Sequence, residues 1–291
     1  MDLTSFAREV GGINDGPVAI AGLSTRGGAL AGCRVVAAPT GIDSIQPDEM
    51  IVHCSAGTAV VELNQALAAV GQCVSLPASG TVGGALARGL SDTRRLGYGP
   101  LRDALLQAHY VSAAGHVVKA GGPTVKNVSG FDLCRLLVGS QGTLGFLGQV
   151  ILRTRPLAAV SQWFSTAADP WITFSALYRP VSVLWDGTTT WALLEGHASD
   201  VAEQAALAGL TSTDGAPALP GAHRWSVAPS GLRSIAVTGA FVAEIGVGVV
   251  HRSDAAQPRQ ADASIAALHR RLKYEFDPTL RLNPGVEPLS I

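Results

Sequence analysis

Three glycine-rich phrases carry the residues whose types and spacing could do chemistry. In Ser79-Gly80-Thr81-Val82-Gly83-Gly84-Ala85, three glycines let the backbone approach a ligand closely and turn several N–H groups toward it. A diphosphate anion matches such a nest, and a helix beginning near Gly84 would add the positive end of its dipole. The second phrase is Arg95-Leu96-Gly97-Tyr98-Gly99, followed by Arg102 and Asp103. The third runs from Lys126-Asn127-Val128-Ser129-Gly130-Phe131-Asp132-Leu133 to Gly139-Ser140-Gln141-Gly142-Thr143-Leu144-Gly145. Each could equally be a packing turn, but all three in this order within about seventy positions point to a ligand cradle.

Other candidates are more scattered. Glu244-Ile245-Gly246-Val247-Gly248-Val249-Val250-His251 ends in a histidine that fits two roles: a base near pH 7, or a hydrogen-bonded residue at a strand end. Arg26, Arg94 and Arg95 carry the planar fork that suits a substrate carboxylate, a role that competes with simple solvation or phosphate binding. Asp103 and Asp132 read as loop anchors accepting from backbone donors, since an unpaired buried carboxylate is costly.

The elements that must position these residues follow from periodicity. Short β-like runs at Val18–Ala21, Arg34–Ala38 and Met50–Ala56 lead into a helix over Val60–Val70, where Val60, Leu63, Leu67 and Val70 make one apolar face. Leu105–Ala113 and His116–Ala120 read as a hairpin around Gly115, and Phe146–Arg155 as a strand closed by Pro156. Four of the five tryptophans fall between 163 and 191, marking a change of composition after about residue 157 and a second domain. Residues 209–229 read as a surface loop, Ser234–Val250 as a strand pair, and Leu268 onward as a helix ending in the turn Asn283-Pro284-Gly285.

Composition narrows the function classes. With 291 residues, 47% of them hydrophobic and 15% charged, the chain can bury a sizeable core and probes for two domains rather than one. A net charge of -1 gives no basic field for nucleic acid or an anionic membrane surface. Cys33, Cys54, Cys73 and Cys134 are widely spaced and form no C-x-x-C pair, so no metal or iron–sulfur site is expected in this chain. No apolar run is long enough to span a membrane, and Met1–Val10 is unlike a secretory signal, so a cytoplasmic location is expected.

The stretch from Pro77 to Gly148, with Asp277-Pro278 and Leu282-Asn283-Pro284-Gly285, resembles the FAD-binding family of vanillyl-alcohol oxidase and p-cresol methylhydroxylase. Within it the likeness is to the hydroxy-acid oxidoreductases, above all the glycolate oxidase E-subunit family, and it is strongest from 77 to 156. No G-x-G-x-x-G opens a βαβ unit with an acidic residue about twenty positions on, which disfavours an enzyme built around NAD.

The resemblance implies an α+β fold: a two-subdomain p-cresol methylhydroxylase-type FAD-binding domain over 1–157, a smaller α+β cap over 158–270, and a C-terminal segment, 271–291, returning to the FAD domain. It implies that Gly80, Thr81, Gly83 and Gly84, with Gly22, Ser24 and Thr25 upstream, meet the diphosphate of FAD. Gly89, Ser91, Gly142, Thr143 and Gly145 would line the dinucleotide farther along, and Asn283 would return to the flavin region. The cofactor is expected to be non-covalent, because the first loop has no histidine and no family-type cysteine linkage is apparent.

The implied activity is oxidation of a small 2-hydroxy acid, glycolate or lactate, in a complex with an iron–sulfur subunit and a sister flavoprotein subunit, peripheral to a membrane through those partners. The alternative is a non-catalytic flavin-binding scaffold or electron-relay subunit. Two departures from the family pattern stand out. Leu23 occupies a position of the first phosphate loop where a small residue is usual. The segment ending at the candidate catalytic residue His251 lacks the Asp and Asn of the family's His-x-Gly-Asp-Gly-Asn-x-His phrase.

Overall fold

The computed structural model describes residues 3–23, 32–123, 132–221, 223–235, 239–256 and 262–288. The chain forms two compact units. The first comprises Met1–Asp92, Leu101–Leu157 and Arg259–Ile291; the second comprises Thr93–Pro100 and Ala158–Pro258. The helix Ala263–Phe276, which a boundary at 270 would cut, therefore lies whole within the first unit's range, and a short piece of the glycine-rich region, Thr93–Pro100, groups with the second.

The first unit is built on a five-stranded sheet in the order Ile42–Gln46, Ile51–Ser55, Phe146–Arg153, Leu105–Val111, Val117–Gly121. All neighbours are antiparallel. Phe146–Arg153 is the central strand and is buried at every position except Gln149 and Arg153, so both of its faces are covered. Its Val150 stands opposite Cys54 on one side and Ala108 on the other.

Against this sheet the helix Val60–Ala68 buries Val60, Leu63 and Leu67, the apolar face expected from the sequence. It stops short of Val70 because Gly71 turns the chain at φ 70°. The next helix, Val82–Arg88, starts just ahead of the position expected, with Thr81 as its N-cap, and packs Val82, Ala85 and Leu86 into the same core.

A second core of this unit collects Leu3, Phe6 and Val10 from the helix-bearing N-terminus with Val18, Val36, Phe146 and Leu282. Here Val18–Ala21 pairs in parallel with Arg34–Ala37, and Leu282 of the tail bridges to Val18. The tail is thus stitched to the edge of the unit's first strand. Three elements had no clear periodicity: the helix Thr4–Val10, the half-exposed strand Ile42–Gln46 and the five-residue helix Leu133–Leu137.

The second unit is a seven-stranded antiparallel sheet in the order Thr211–Thr213, Val160–Thr166, Thr190–Gly196, Ser182–Trp185, Phe241–Glu244, Val249–Arg252, His223–Ser226. The expected strand pair at 234–250 is the hairpin of Phe241–Glu244 with Val249–Arg252. The expected loop at 209–229 instead supplies both edge strands. Strand pairing with a neighbour, which composition does not record, made those residues extended.

Candidate functional site

The glycine turn before Val82–Arg88 is held by its own surroundings. Thr81 Oγ1 accepts from the Gly84 N–H at 3.0 Å, the Val82 N–H donates to the Thr58 carbonyl at 3.0 Å, and the Gly83 N–H donates to the Ala56 carbonyl at 2.7 Å. A Cβ on Gly83 would stand 2.9 Å from both the Cβ and the carbonyl oxygen of Ala56. That glycine is required by helix-to-strand contact. The N–H nest expected at 82–84 is therefore already occupied within the chain, and those three donors are not the ones that would receive a diphosphate.

The loop between Leu137 and Phe146 is the second wall. Gln141 and Gly142 both adopt positive φ, 52° and 72°. The Gln141 N–H donates to the Ala87 carbonyl at 2.8 Å and the Gly139 N–H to the Leu86 carbonyl at 3.0 Å, so this loop is fastened to the end of the Val82–Arg88 helix. Asn283 of the tail completes the enclosure. Its Nδ2 donates to the Gln141 carbonyl at 2.7 Å, and its Oδ1 accepts from the Ile20 N–H at 3.0 Å.

Together these segments enclose one cavity within the first unit. Of the expected cofactor-binding residues, Gly22, Thr81, Gly83, Gly84, Gly142, Gly145 and Asn283 line it. Gly80, Gly89, Ser91 and Thr143 do not, and each has another task. Gly80 accepts through its carbonyl from Val60 N–H, Gly89 caps the helix at φ 63°, Ser91 Oγ accepts from the Leu101 N–H, and Thr143 Oγ1 donates to the Ser140 carbonyl. Ser24 and Thr25 lie outside the described residues, as does the phrase 126–131. Leu23, at the unusual position of the first loop, also lines the cavity and is 60% exposed.

Sequence reasoning missed Arg88 and Gln141. Among the described residues lining the cavity, Arg88 is the one that carries a charge. Its Nη1 donates to Gln141 Oε1 at 3.0 Å, while its Nε is buried without a hydrogen-bond partner. A signal was present: Arg88 lies four residues after Gly84 and seven after Thr81, the spacing that puts all three on one helix face.

Asp103 and Asp132 are surface residues tied to Arg135. Asp132 caps the helix Leu133–Leu137 by accepting from the Arg135 N–H, and Asp103 meets Arg135 Nη2 at 3.3 Å. Burial pushes the Cys54 thiol up to about 12, with Asp43 adding to it, and the Cys134 thiol up to about 11, so both stay protonated at neutral pH. Among the described residues no group of three or more His, Cys, Asp or Glu side chains could hold a metal ion, and no helix is long and apolar enough to cross a membrane.

His251 belongs to the second unit. It is 8% exposed, and its Nε2 stands 2.7 Å from Oε1 of Glu244, which Arg224 Nη2 also approaches at 3.4 Å. Glu244 is itself buried, and its Oε2 lacks a partner. Elsewhere in this unit the Tyr98 hydroxyl, from the Gly-Tyr-Gly phrase, donates to Glu195 at 2.5 Å, and Gly97 sits 2.8 Å, measured from an added Cβ, from Val181 Cα. That second phrase thus serves packing within the second unit.

Comparison with known proteins completes the picture. A family model described as an FAD binding domain matches residues 18–121. Glycolate oxidase subunit GlcE of Escherichia coli (strain K12) is 38% identical over 128 residues, covering 42% of this chain and 37% of that protein. D-lactate dehydrogenase of Archaeoglobus fulgidus is 35% identical over 117 residues, covering 38% of this chain and 26% of that protein. The match thus spans well under half the length of these curated relatives. A solved structure of alkyldihydroxyacetonephosphate synthase superposes over 97% of this chain and 72% of its own at a TM-score of 0.63 and 12% identity, which shows a shared fold. Most of the matched segment lies in the first unit, whose cavity gathers Gly22, Gly83, Gly84, Gly142 and Gly145, so residues 18–121 are similar to an FAD binding domain and the cofactor is FAD.

Proposed function

We propose that this chain is a flavin-holding oxidoreductase subunit that oxidises a small 2-hydroxy acid, glycolate or lactate, within a multi-subunit complex. The observation that carries the reading is the cavity of the first unit, walled by Gly22, Thr81, Gly142, Gly145 and Asn283 from four separate stretches of sequence. In this reading FAD is held non-covalently, as the lack of a histidine in the first loop of the sequence leads one to expect. The substrate class and the multi-subunit setting are carried over from relatives named as glycolate oxidase subunits and D-lactate dehydrogenases, and the iron–sulfur subunit and sister flavoprotein are the partners that the family resemblance implies.

Bound FAD supplies the acceptor for the hydride that leaves the alcohol carbon. The chain's own part is to hold and orient that group and to take the hydroxyl proton. In this reading His251 is the base, with Glu244 fixing its ring from 2.7 Å.

A second reading has its own support. Val247 and Val249 stand where the hydroxy-acid oxidases carry Asp and Asn, and the His251 Nε2 is already engaged by Glu244 in a buried pair. Those features favour a flavin-binding scaffold or relay that leaves substrate chemistry to a sister subunit.

Anaerobic addition of glycolate or D-lactate to the purified chain separates the two. Bleaching of the flavin band near 450 nm supports catalysis by this chain, whereas a yellow protein that does not bleach supports the relay. A colourless protein that takes up no added FAD sinks both. Acid precipitation that releases all flavin to the supernatant supports the non-covalent assignment, and flavin retained in the pellet contradicts it.

A further inference from the structure

The geometry points to Arg88 as the residue that receives the FAD diphosphate, held in place for that role by Gln141. The inference rests on the reading of this cavity as the FAD site and adds a residue and a division of labour to it. The glycine turn was the natural candidate for the anion, but the N–H groups of Val82, Gly83 and Gly84 are all occupied by Thr58, Ala56 and Thr81. What the cavity wall offers instead, among the described residues, is one guanidinium.

Arg88 is poised rather than satisfied. Nη1 is anchored to Gln141 Oε1 at 3.0 Å, and Nε is buried with nothing to donate to. A buried donor left unpaired on a charged group is costly, so its persistence calls for a partner that is itself an acceptor, best of all an anion. Gln141 has little freedom to move away. Its N–H is fixed by Ala87, its carbonyl by Asn283, and its backbone is held at φ 52°. Gln141 is accordingly a positioning residue, and Arg88 the one that touches the cofactor.

The diphosphate is the part of oxidised FAD that bears formal charge at neutral pH, and among the described residues the rest of the cavity wall is uncharged. Charge complementarity therefore selects that part of the molecule. A guanidinium can offer two parallel N–H groups to it, which an ammonium at the same site cannot.

The test compares FAD with riboflavin, which carries the same ring and no phosphate, as ligands of the deflavinated chain. Wild-type protein that fails to bind FAD refutes the FAD reading itself, independently of Arg88. If wild type binds FAD, Arg88→Gln is expected to weaken it about ten- to a hundredfold while riboflavin affinity changes by less than about threefold. Equal losses for both ligands, or no loss for FAD, overturn the proposal. Arg88→Lys keeps the charge and serves if Arg88→Gln does not fold. In it the phosphorus NMR resonances of bound FAD should shift while the flavin absorption band keeps its position. Unmoved phosphorus resonances beside a displaced flavin band overturn the assignment.

Discussion

The side-chain amide of Asn283 donates to the carbonyl of Gln141 at 2.7 Å, across 142 positions of sequence. Its other end accepts from Ile20 at 3.0 Å, and its own N–H donates to Val18 at 2.9 Å. One residue of the tail thereby ties the first strand to the glycine loop, and the cavity lies where these segments meet. Asn283 adopts φ 43°, a left-handed conformation that asparagine tolerates better than most residues.

Asn283→Ala should therefore lose two side-chain hydrogen bonds and strain the backbone, lowering stability by about 2–4 kcal/mol in urea denaturation. Asn283→Asp keeps the acceptor toward Ile20 but places a carboxylate oxygen against the Gln141 carbonyl. It should weaken FAD binding about tenfold or more by titration, even where the fold persists. An Asp variant that binds FAD like wild type would show that the tie to Gln141 does not shape the cavity.

Gly142 is the neighbouring control. An added Cβ would stand 2.6 Å from Asn283 Nδ2, at a φ of 72° that side chains rarely adopt. Gly142→Ala should displace the same amide and cost about 1–3 kcal/mol of stability, with a parallel loss of FAD affinity. Gly83→Ala meets Ala56 instead, at 2.9 Å, and should destabilise the helix-to-strand contact by a similar amount. If the two alanine variants differ from wild type by less than about 0.5 kcal/mol, the close contacts relax freely and the packing account of these glycines fails.

Arg281 fastens the tail from the other side. It is 2% exposed; its Nε donates to the Gly16 carbonyl, Nη1 to those of Gly11 and Ala113, and Nη2 to that of Val10. The fork reaches four carbonyls at 2.7–3.1 Å, and Asp277 fixes the backbone next to it by accepting from the N–H groups of Arg281 and Leu282. Arg281→Met removes the donor to those carbonyls, of which that of Val10 keeps Arg34 Nη2 at 2.9 Å, and should cost about 3–5 kcal/mol. Arg281→Lys should recover only part of the loss, because an ammonium cannot span the same carbonyls. Both variants should lose FAD affinity in proportion to stability, since Asn283 leaves with the tail. An Arg281→Met protein with the wild-type urea midpoint would show that this cluster contributes nothing.

Much of this was legible in the residues. The helix at Val60–Ala68 followed from its apolar spacing, the hairpin at 105–121 from its turn, and Gly83, Gly84, Gly142 and Gly145 of the cavity from two of the clustered phrases. Arg88 was legible only in its spacing from Thr81 and Gly84, because an arginine between Ala87 and Gly89 otherwise looks like any solvated basic residue until the loop at Gln141 folds over it. The phrase Arg95–Gly99 misled for the converse reason. Its Gly97 meets Val181 and its tyrosine meets Glu195, a packing role that sequence spacing cannot separate from ligand contact. The edge strands Thr211–Thr213 and His223–Ser226 depend on partners that no local pattern encodes.

The buried thiols give the chain an alkaline limit. Cys54 sits on the strand Ile51–Ser55, next to the central one, with no exposed surface, and burial, then Asp43, raises its thiol from 9.0 to about 12; burial, then Asp132, raises that of Cys134 from 9.0 to about 11. Both folded-state values lie above the unfolded value, so the folded chain retains protons that the unfolded chain releases. Their contribution is whole below about pH 9 and is lost as pH rises toward 11 and 12. Each thiol should add up to about 1.4 kcal/mol per pH unit to the fall in stability over that window. Cys54→Ala should be less stable than wild type at pH 7, because a buried group is lost, yet should show a shallower decline between pH 9 and 11. The same burial predicts that a thiol reagent at pH 8 modifies the half-exposed Cys33 and Cys73 well before Cys54 and Cys134, since the thiolate is the reactive form. An unchanged alkaline slope in Cys54→Ala, or early labelling of Cys54, would remove burial as the cause.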